Sequence, residues 1–332
     1  VKCLITIKDI AELAKVSRTT VSRVLNNSGY VSEKARIAVQ QVIEETGYVP
    51  SQHAKAMRTK KTKVIGVILP KISTDTSSRT VNGMNEIFAN KGYQILLANT
   101  NLDKEKEIEY LKLLQSRQVD GIILLATNTD GNLLNEIKSM KIPVVLVGQE
   151  FPDIPSITFD DYGAARSLTE LMVKKGYRNI AFIGVDEADR AVGFLRKKGY
   201  LDVMREHQLL MEKSWIQVGD FSIESGYEAM KRIMDSSSVR PDAVFAATDR
   251  MALGVWKFIK EQGWKIPTDI SVTGIGSSET SKFIDPALTT IEYRNEMAGI
   301  EAAKLMLQLL KSEKPNFNKL VLDFRLIERD SL

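Results

Sequence analysis

At 332 residues, 43% hydrophobic and 27% charged, the chain is too long for one small core and too apolar for a disordered one, so two or three folded units are expected. No apolar run approaches a membrane span, the stretch VKCLITIKDI lacks a signal-peptide shape, and the single cysteine, Cys3, excludes an intrachain disulfide; the expectation is a cytoplasmic protein. The net charge of +4 is unevenly divided: residues 1–63 hold 12 Lys+Arg against 5 Asp+Glu, and the rest 34 against 37, so a basic head precedes a neutral-to-acidic body.

The stretch TIKDIAELAKVSRTTVSRVLN, residues 6–26, carries two short amphipathic segments. Thr6 offers a helix N-cap with Asp9 in the first turn, and Ile10, Ala11, Leu13 and Ala14 fall on one face. Ser17 offers a second cap, and Val21, Val24 and Leu25 form the apolar face of the helix it starts. Arg18, Thr19, Ser22, Arg23 and Asn26 then face outward, a set of hydrogen-bonding side chains with two cations and no acid. Such a face suits the DNA major groove, where Arg forks onto guanine and Thr meets a thymine methyl, although an ordinary surface helix pair has the same composition. Ser32 caps a third helix carrying Ala35, Val39, Val42 and Ile43, which Gly47 ends. Pro50 breaks the chain, SQHAKAMR (51–58) has room for about two turns of helix, and a basic linker runs to Lys63.

From Val64 the texture changes to near-continuous apolar runs (VIGVILP, YQILLAN, DGIILLA, IPVVLVG) alternating with helical segments starting around Val81, Lys104 and Leu133. After Phe159-Asp160-Asp161 the pattern restarts, with strands NIAFIGV, WIQVGD, DAVFAAT and ISVTGIG between helices at 164–175, 196–206, 224–234 and 251–262. Two wound parallel sheets in tandem, with a cleft between two lobes, are expected. Strand TTIEY, a helix over 295–310 and the run LVLDFRLIER complete the chain as an excursion back into the first lobe. The expected units are a helix-turn-helix head at 1–49, a hinge and linker at 50–63, and a core at 64–332. Within the core, one lobe takes about 64–161 plus 292–320 and the other about 162–291 plus 321–332.

The runs Thr6-Ile7-Lys8-Asp9-Ile10-Ala11, Val16-Ser17, Thr20-Val21-Ser22-Arg23-Val24-Leu25-Asn26 and Val31-Ser32 resemble the DNA-binding domain of the lactose/galactose repressor family. The likeness continues through the core, which is similar to that family's effector-binding part and to periplasmic sugar-binding proteins. It implies DNA contacts from Thr6, Ile7, Ser17, Arg18, Thr19, Thr20, Ser22, Arg23, Asn26 and Tyr30. It also implies a hinge helix in which Ala54, Lys55, Met57 and Arg58 meet the minor groove, with Met57 where the family usually has a leucine wedge.

In the cleft, Arg196 of Arg-Lys-Lys-Gly-Tyr matches the family's hydroxyl-clamping arginine, and Phe221 matches a sugar-stacking aromatic or, equally well, a core Phe. Thr248-Asp249 stands where the family reads Asn-Asp or Thr-Asp. Gly274-Ile275-Gly276-Ser277 lacks the family's usual acid, and Gln149 replaces the lactose repressor's aspartate, so a less acidic pocket is expected. Lys71 and Arg79 add positive charge near its mouth and favour a phosphorylated sugar. The wording SITFDDYGA, DRAVGFLRKKGY and ATDRMALG looks most like the sucrose-operon repressors of Gram-positive bacteria, which implies a sucrose-related sugar or sugar phosphate as effector.

The partners this implies are operator DNA, the effector and a second copy of the chain. A dimer and not a tetramer is expected, since no leucine-heptad tail follows Asp323-Phe324-Arg325. No catalytic residues, metal site, cofactor or membrane contact are expected: the histidines are His53 and His207, and no phosphate-cradling or zinc-binding motif occurs. A carbohydrate receptor without a DNA role leaves the basic head unexplained, and a nucleotide-dependent enzyme lacks its glycine fingerprint. A repressor that also takes a protein co-repressor stays open.

Overall fold

The computed structural model describes residues 5–48, 61–313 and 317–332, in two compact units, Val1–Thr62 and Lys63–Leu332. The first holds α1 (Ile7–Leu13), α2 (Arg18–Leu25) and α3 (Glu33–Thr46). Each start is fixed by the side chain the sequence supplies. Thr6 and Asp9 form a reciprocal capping box, Ser17 accepts from the Thr20 amide at 3.1 Å, and Ser32 accepts from the Ala35 amide. Gly47 ends α3 at φ 62°, a left-handed turn that glycine adopts without a Cβ penalty. Ile10, Ala11, Val21, Val24 and Val39 are buried in one small core.

The second unit runs β1 (Val64–Leu69), α4 (Asp75–Ala89), β2 (Gln94–Asn99), α5 (Lys104–Ser116), β3 (Gly121–Leu125), α6 (Gly131–Ser139), β4 (Val144–Val147) and β5 (Ser156–Phe159). It restarts with α7 (Asp161–Lys174), β6 (Ile180–Gly184), a π-helical turn at Arg190–Leu195, α8 (Arg196–Glu206), β7 (Ile216–Val218) and α9 (Ile223–Ser236). Then come β8 (Ala243–Ala246), α10 (Asp249–Glu261), β9 (Ser271–Ile275), α11 (Thr280–Phe283), β10 (Thr289–Tyr293), α12 (Asn295–Leu310), β11 (Lys319–Leu322) and β12 (Phe324–Ile327).

Two six-stranded sheets result, ordered β2-β1-β3-β4-β5-β11 and β7-β6-β8-β9-β10-β12. The first is wholly parallel, and the second is parallel except for β12, which pairs antiparallel with β10. Helices cover both faces, so the central strands are apolar throughout: Ile65, Val67, Ile68 and Leu69 of β1 are all buried. The fold is the two-sheet α/β body behind a helical head that the sequence leads one to expect.

Two details differ from the sequence reading. Helix α4 begins at Asp75, six residues before Val81, because Thr74 caps it by accepting from the Ser77 amide. The run LVLDFRLIER divides at Asp323, with β11 joining the first sheet beside β5 and β12 joining the second beside β10. Strand β10 lies whole in the second sheet, between β9 and β12.

Candidate functional site

In the first unit, α2 presents Arg18, Thr19, Arg23 and Asn26 to solvent, with Ser22 and Thr20 half-buried beside them. Val21 and Val24 on the opposite face hold the helix to its neighbours. Thr6 and Ser17 are exposed caps and Ile7 is half-buried. Tyr30 is 87% exposed in the α2–α3 turn. This is a rigid, acid-free polar rod of the kind that enters a major groove. Ala54, Lys55, Met57 and Arg58 lie outside the described residues.

In the second unit, a cavity of about 300 Å³ opens at the carboxyl ends of the parallel strands of both lobes. Ligands of doubly wound sheets bind there because the turns leaving those strands converge. Gln149 follows β4, Asp189 follows β6, Phe221 follows β7, and Thr248 and Asp249 follow β8. Of the seven residues expected in the cleft, Lys71, Gln149, Arg196, Phe221, Thr248 and Asp249 line this cavity.

Arg79 does not line it. That residue sits one turn inside α4, where its guanidinium Nη2 donates to the Ser277 carbonyl of the other lobe at 2.9 Å. Asp75 on the same face of α4 accepts from the Glu279 amide at 2.8 Å. Both side chains tie lobe to lobe at the cavity's edge.

Arg196, buried at the start of α8, is the best-built side chain in the cavity wall. Its Nε donates to Asp161 Oδ1 at 2.7 Å and its Nη1 to the Ala247 carbonyl at 2.5 Å. Tyr293 donates to the same carboxylate oxygen at 2.9 Å and stacks on Phe159. The buried charge is thereby paired and its plane fixed, and its Nη2 makes no hydrogen bond to a described residue. The π-helical turn ahead of it brings Arg196 to the wall, and no spacing in the sequence signals that turn.

Phe221 carries φ 68°, a left-handed conformation that costs a bulky residue on the order of 1–3 kcal/mol and clusters at functional positions. It lines the cavity as well as packing on the second lobe's core, so neither of its two sequence readings excludes the other. Thr248 caps α10 by accepting from the Met251 amide at 3.3 Å. Asp249 has both oxygens engaged within its own lobe, accepting from Thr290 Oγ1 at 2.6 Å and from the Ser278 amide at 2.7 Å, while burial pushes its pKa up.

Four carboxylates line the cavity (Asp75, Asp161, Asp189 and Asp249) against three cations, Lys71, Arg196 and Arg250. Sequence reading missed Asp75, Asp161, Asp189 and Arg250. Asp189 accepts from Gln149 Nε2 across the lobes at 2.7 Å and from the Val192 amide at 2.9 Å, and burial raises its pKa to about 6. Behind the wall, the fully buried Glu107 of α5 accepts from the amide and hydroxyl of Thr127, both at 3.0 Å, and from Asn128 Nδ2 at 2.6 Å. Burial lifts its pKa to about 7 and, with those bonds, it shapes the turn after β3. Among the described residues there is no His/Cys/Asp/Glu group that could hold a metal ion, and no helix is long and apolar enough to cross a membrane.

A helix-turn-helix head and a two-lobed ligand-binding body on one chain define a ligand-responsive DNA-binding regulator. Residues 6–51 match the model of the bacterial regulatory proteins of the lacI family, and residues 62–329 that of the periplasmic binding proteins and sugar-binding domain of the same family. The chain belongs to the lacI family of transcriptional regulators.

It is 32% identical to the HTH-type transcriptional regulator RegA of Clostridium saccharobutylicum over 98% of each chain. It is 33% identical to the sucrose operon repressor of Staphylococcus xylosus over 92% of this chain and 94% of that one. The structure also superposes, with a TM-score of 0.89 and 26% identity over 99% of both chains, on the lac repressor dimer bound to operator and the anti-inducer ONPF.

Proposed function

We propose that this chain is a sugar-responsive repressor. In this reading it recognises a pseudo-palindromic operator as a homodimer, through the head at 1–49 and the hinge at 50–63. It takes a sucrose-related sugar, or its phosphate, between the lobes of the core. The observation that carries this reading is the interlobe cavity: about 300 Å³, at the lower end of small-ligand sites, with Arg196 fixed at its wall beside Asp161 and Asp189, and Phe221 at its edge. Forked cation, carboxylates and one aromatic face are the chemistry a polyol needs. The likeness to a sucrose operon repressor supports the choice of sugar. Four carboxylates in the wall favour the neutral sugar, while Lys71 and Arg250 are the groups that would hold a phosphate.

A thermal-shift screen of sucrose, trehalose and cellobiose with the 6-phosphates of the first two, followed by gel shift on operator duplex, tests the reading. A stabilising sugar that changes duplex affinity supports it. No stabilisation by any member overturns the saccharide assignment.

Dimerisation is supported by the free edge of the first sheet, where β2 exposes Leu96 and Leu97, and by Ile72, whose amide donates to Asn99 of that strand. A long apolar edge left open invites pairing or aggregation. Leu97→Asp is expected to turn a dimer into a monomer in sedimentation at micromolar concentration. An unchanged species would place the interface elsewhere.

A further inference from the structure

Gln149 puts no acid at the end of β4, yet the cavity wall at that point is acidic. Asp189 reaches across from the turn after β6 in the second lobe to meet Gln149 of the first. One of its oxygens, Oδ1, accepts both from Gln149 Nε2 at 2.7 Å and from the amide of Val192 at 2.9 Å, which anchors the carboxylate at the head of the π-helical turn. The other oxygen, Oδ2, accepts from no described residue, and the side chain lines the cavity beside Arg196 and Asp161. Asp249 has both oxygens engaged, by Thr290 and Ser278, whereas Asp161 and Asp75 each keep one oxygen open but are ion-paired, with Arg196 and Arg79. Asp189 is thus the wall carboxylate that has an open oxygen and no ion pair with a described residue.

We propose that Asp189 is the hydroxyl acceptor of this cleft, supplied by the second lobe, and that its bond to Gln149 ties ligand capture to the bridging of the lobes. A carboxylate held on one oxygen and open on the other accepts a sugar O–H without moving, and a charged hydrogen bond of that kind carries much of a polyol's orientation. Because the same side chain bridges the lobes, a ligand on Oδ2 favours the bridged arrangement over the separated one, which is what a differential ligand requires. The assignment rests on the saccharide reading given above.

The full-length chain is titrated with each sugar of the panel by calorimetry. Asp189→Asn retains an oxygen for Gln149 and Val192 while turning the cavity-side acceptor into a donor. Gln149→Met removes the bridge and leaves Asp189 charged. Every sugar that binds the parent chain is expected to bind Asp189→Asn at least about tenfold more weakly, and Gln149→Met with a smaller loss. Asp189→Ser, whose hydroxyl can still cap the turn, carries the same expectation should the asparagine variant not fold. Binding by Asp189→Asn within about threefold of the parent sinks the assignment alone, and equal losses in the Asp189 and Gln149 variants reduce Asp189 to a strut. A parent chain that binds no sugar sinks the saccharide reading and this assignment with it.

Discussion

Arg23 shows how much of a binding surface single residues decide. It stands exposed on α2 with its stem over Gly29, whose added Cβ would lie 3.5 Å from the arginine Cδ. Gly29 itself turns at φ 68°, so the α2–α3 connection folds back under that side chain. A guanidinium braced in this way is suited to fork onto a guanine edge. Arg23→Ala is expected to lower affinity for the selected operator by about 1–3 kcal/mol and to relax base choice at one position, read by competition gel shift. An equal loss on every duplex would make it a phosphate contact only. Glu107 is the opposite case, a buried acid with no place in a solvated surface. Its pKa of about 7 in the folded chain lies above its ordinary 4.5, so the folded state holds the proton longer than the unfolded one. Its contribution is fully present below pH 4.5 and is lost as pH rises through 7, a swing on the order of 3 kcal/mol. Glu107→Gln removes that titration, and its urea-unfolding free energy is expected to fall less steeply than the parent's between pH 4.5 and 7. Parallel pH profiles would show the carboxyl to be hydrated. Neither Glu107 nor Asp189 was legible in the sequence: spacing reveals which residues share a helix face, whereas Gln149 and Asp189 are 40 positions apart and meet only because two lobes face one another.

At the level of elements, alternation of apolar runs with amphipathic helices was enough to give both sheets and nearly every helix, because a strand buried on two faces and a helix buried on one leave different periods. What periods do not encode is which strand pairs with which. LVLDFRLIER reads as one extended run, and only the vacant edges beside β5 and β10 divide it at Asp323. Close helix contacts were equally silent. Gly83 of α4 faces α12 so tightly that an added Cβ would lie 2.0 Å from the Glu296 carbonyl, and Gly299 of α12 returns the contact at 1.9 Å from the Thr80 carbonyl. Gly226 and Gly254 repeat the device between α9 and α10 of the second lobe, at 2.1 and 1.9 Å. Backbone cannot yield as a side-chain end can, so Gly83→Ala must push α12 away. The expected loss is about 1–3 kcal/mol in urea unfolding, the usual cost of overpacking. A neutral result would mean that the two helices slide freely.

For the molecule as a whole, the decisive property is that the two lobes share one strand order and turn the same ends of their strands toward one cavity. A ligand there touches both lobes, so it gains contacts only when they are bridged, and the protein's own bridges set how much of that state exists beforehand. Among the described residues three are visible: Gln149 to Asp189, Arg79 to the Ser277 carbonyl, and the Glu279 amide to Asp75. Arg79 is the informative one to remove, since it bridges without lining the cavity. Loss of one such bond is worth roughly 0.5–1.5 kcal/mol, more where a charge takes part. Apparent affinity scales with the fraction of molecules already competent, so Arg79→Ala is expected to raise the sugar's Kd by up to about tenfold although no contact to the sugar is touched. The same shift should enlarge the ligand-free core in small-angle scattering, with saturating sugar restoring the parent dimensions. A raised Kd with unchanged scattering would instead mean that Arg79 acts on the sugar directly, through the field at the cavity's mouth. If both measurements match the parent, the bridges at Gln149 and Asp75 hold the lobes without it.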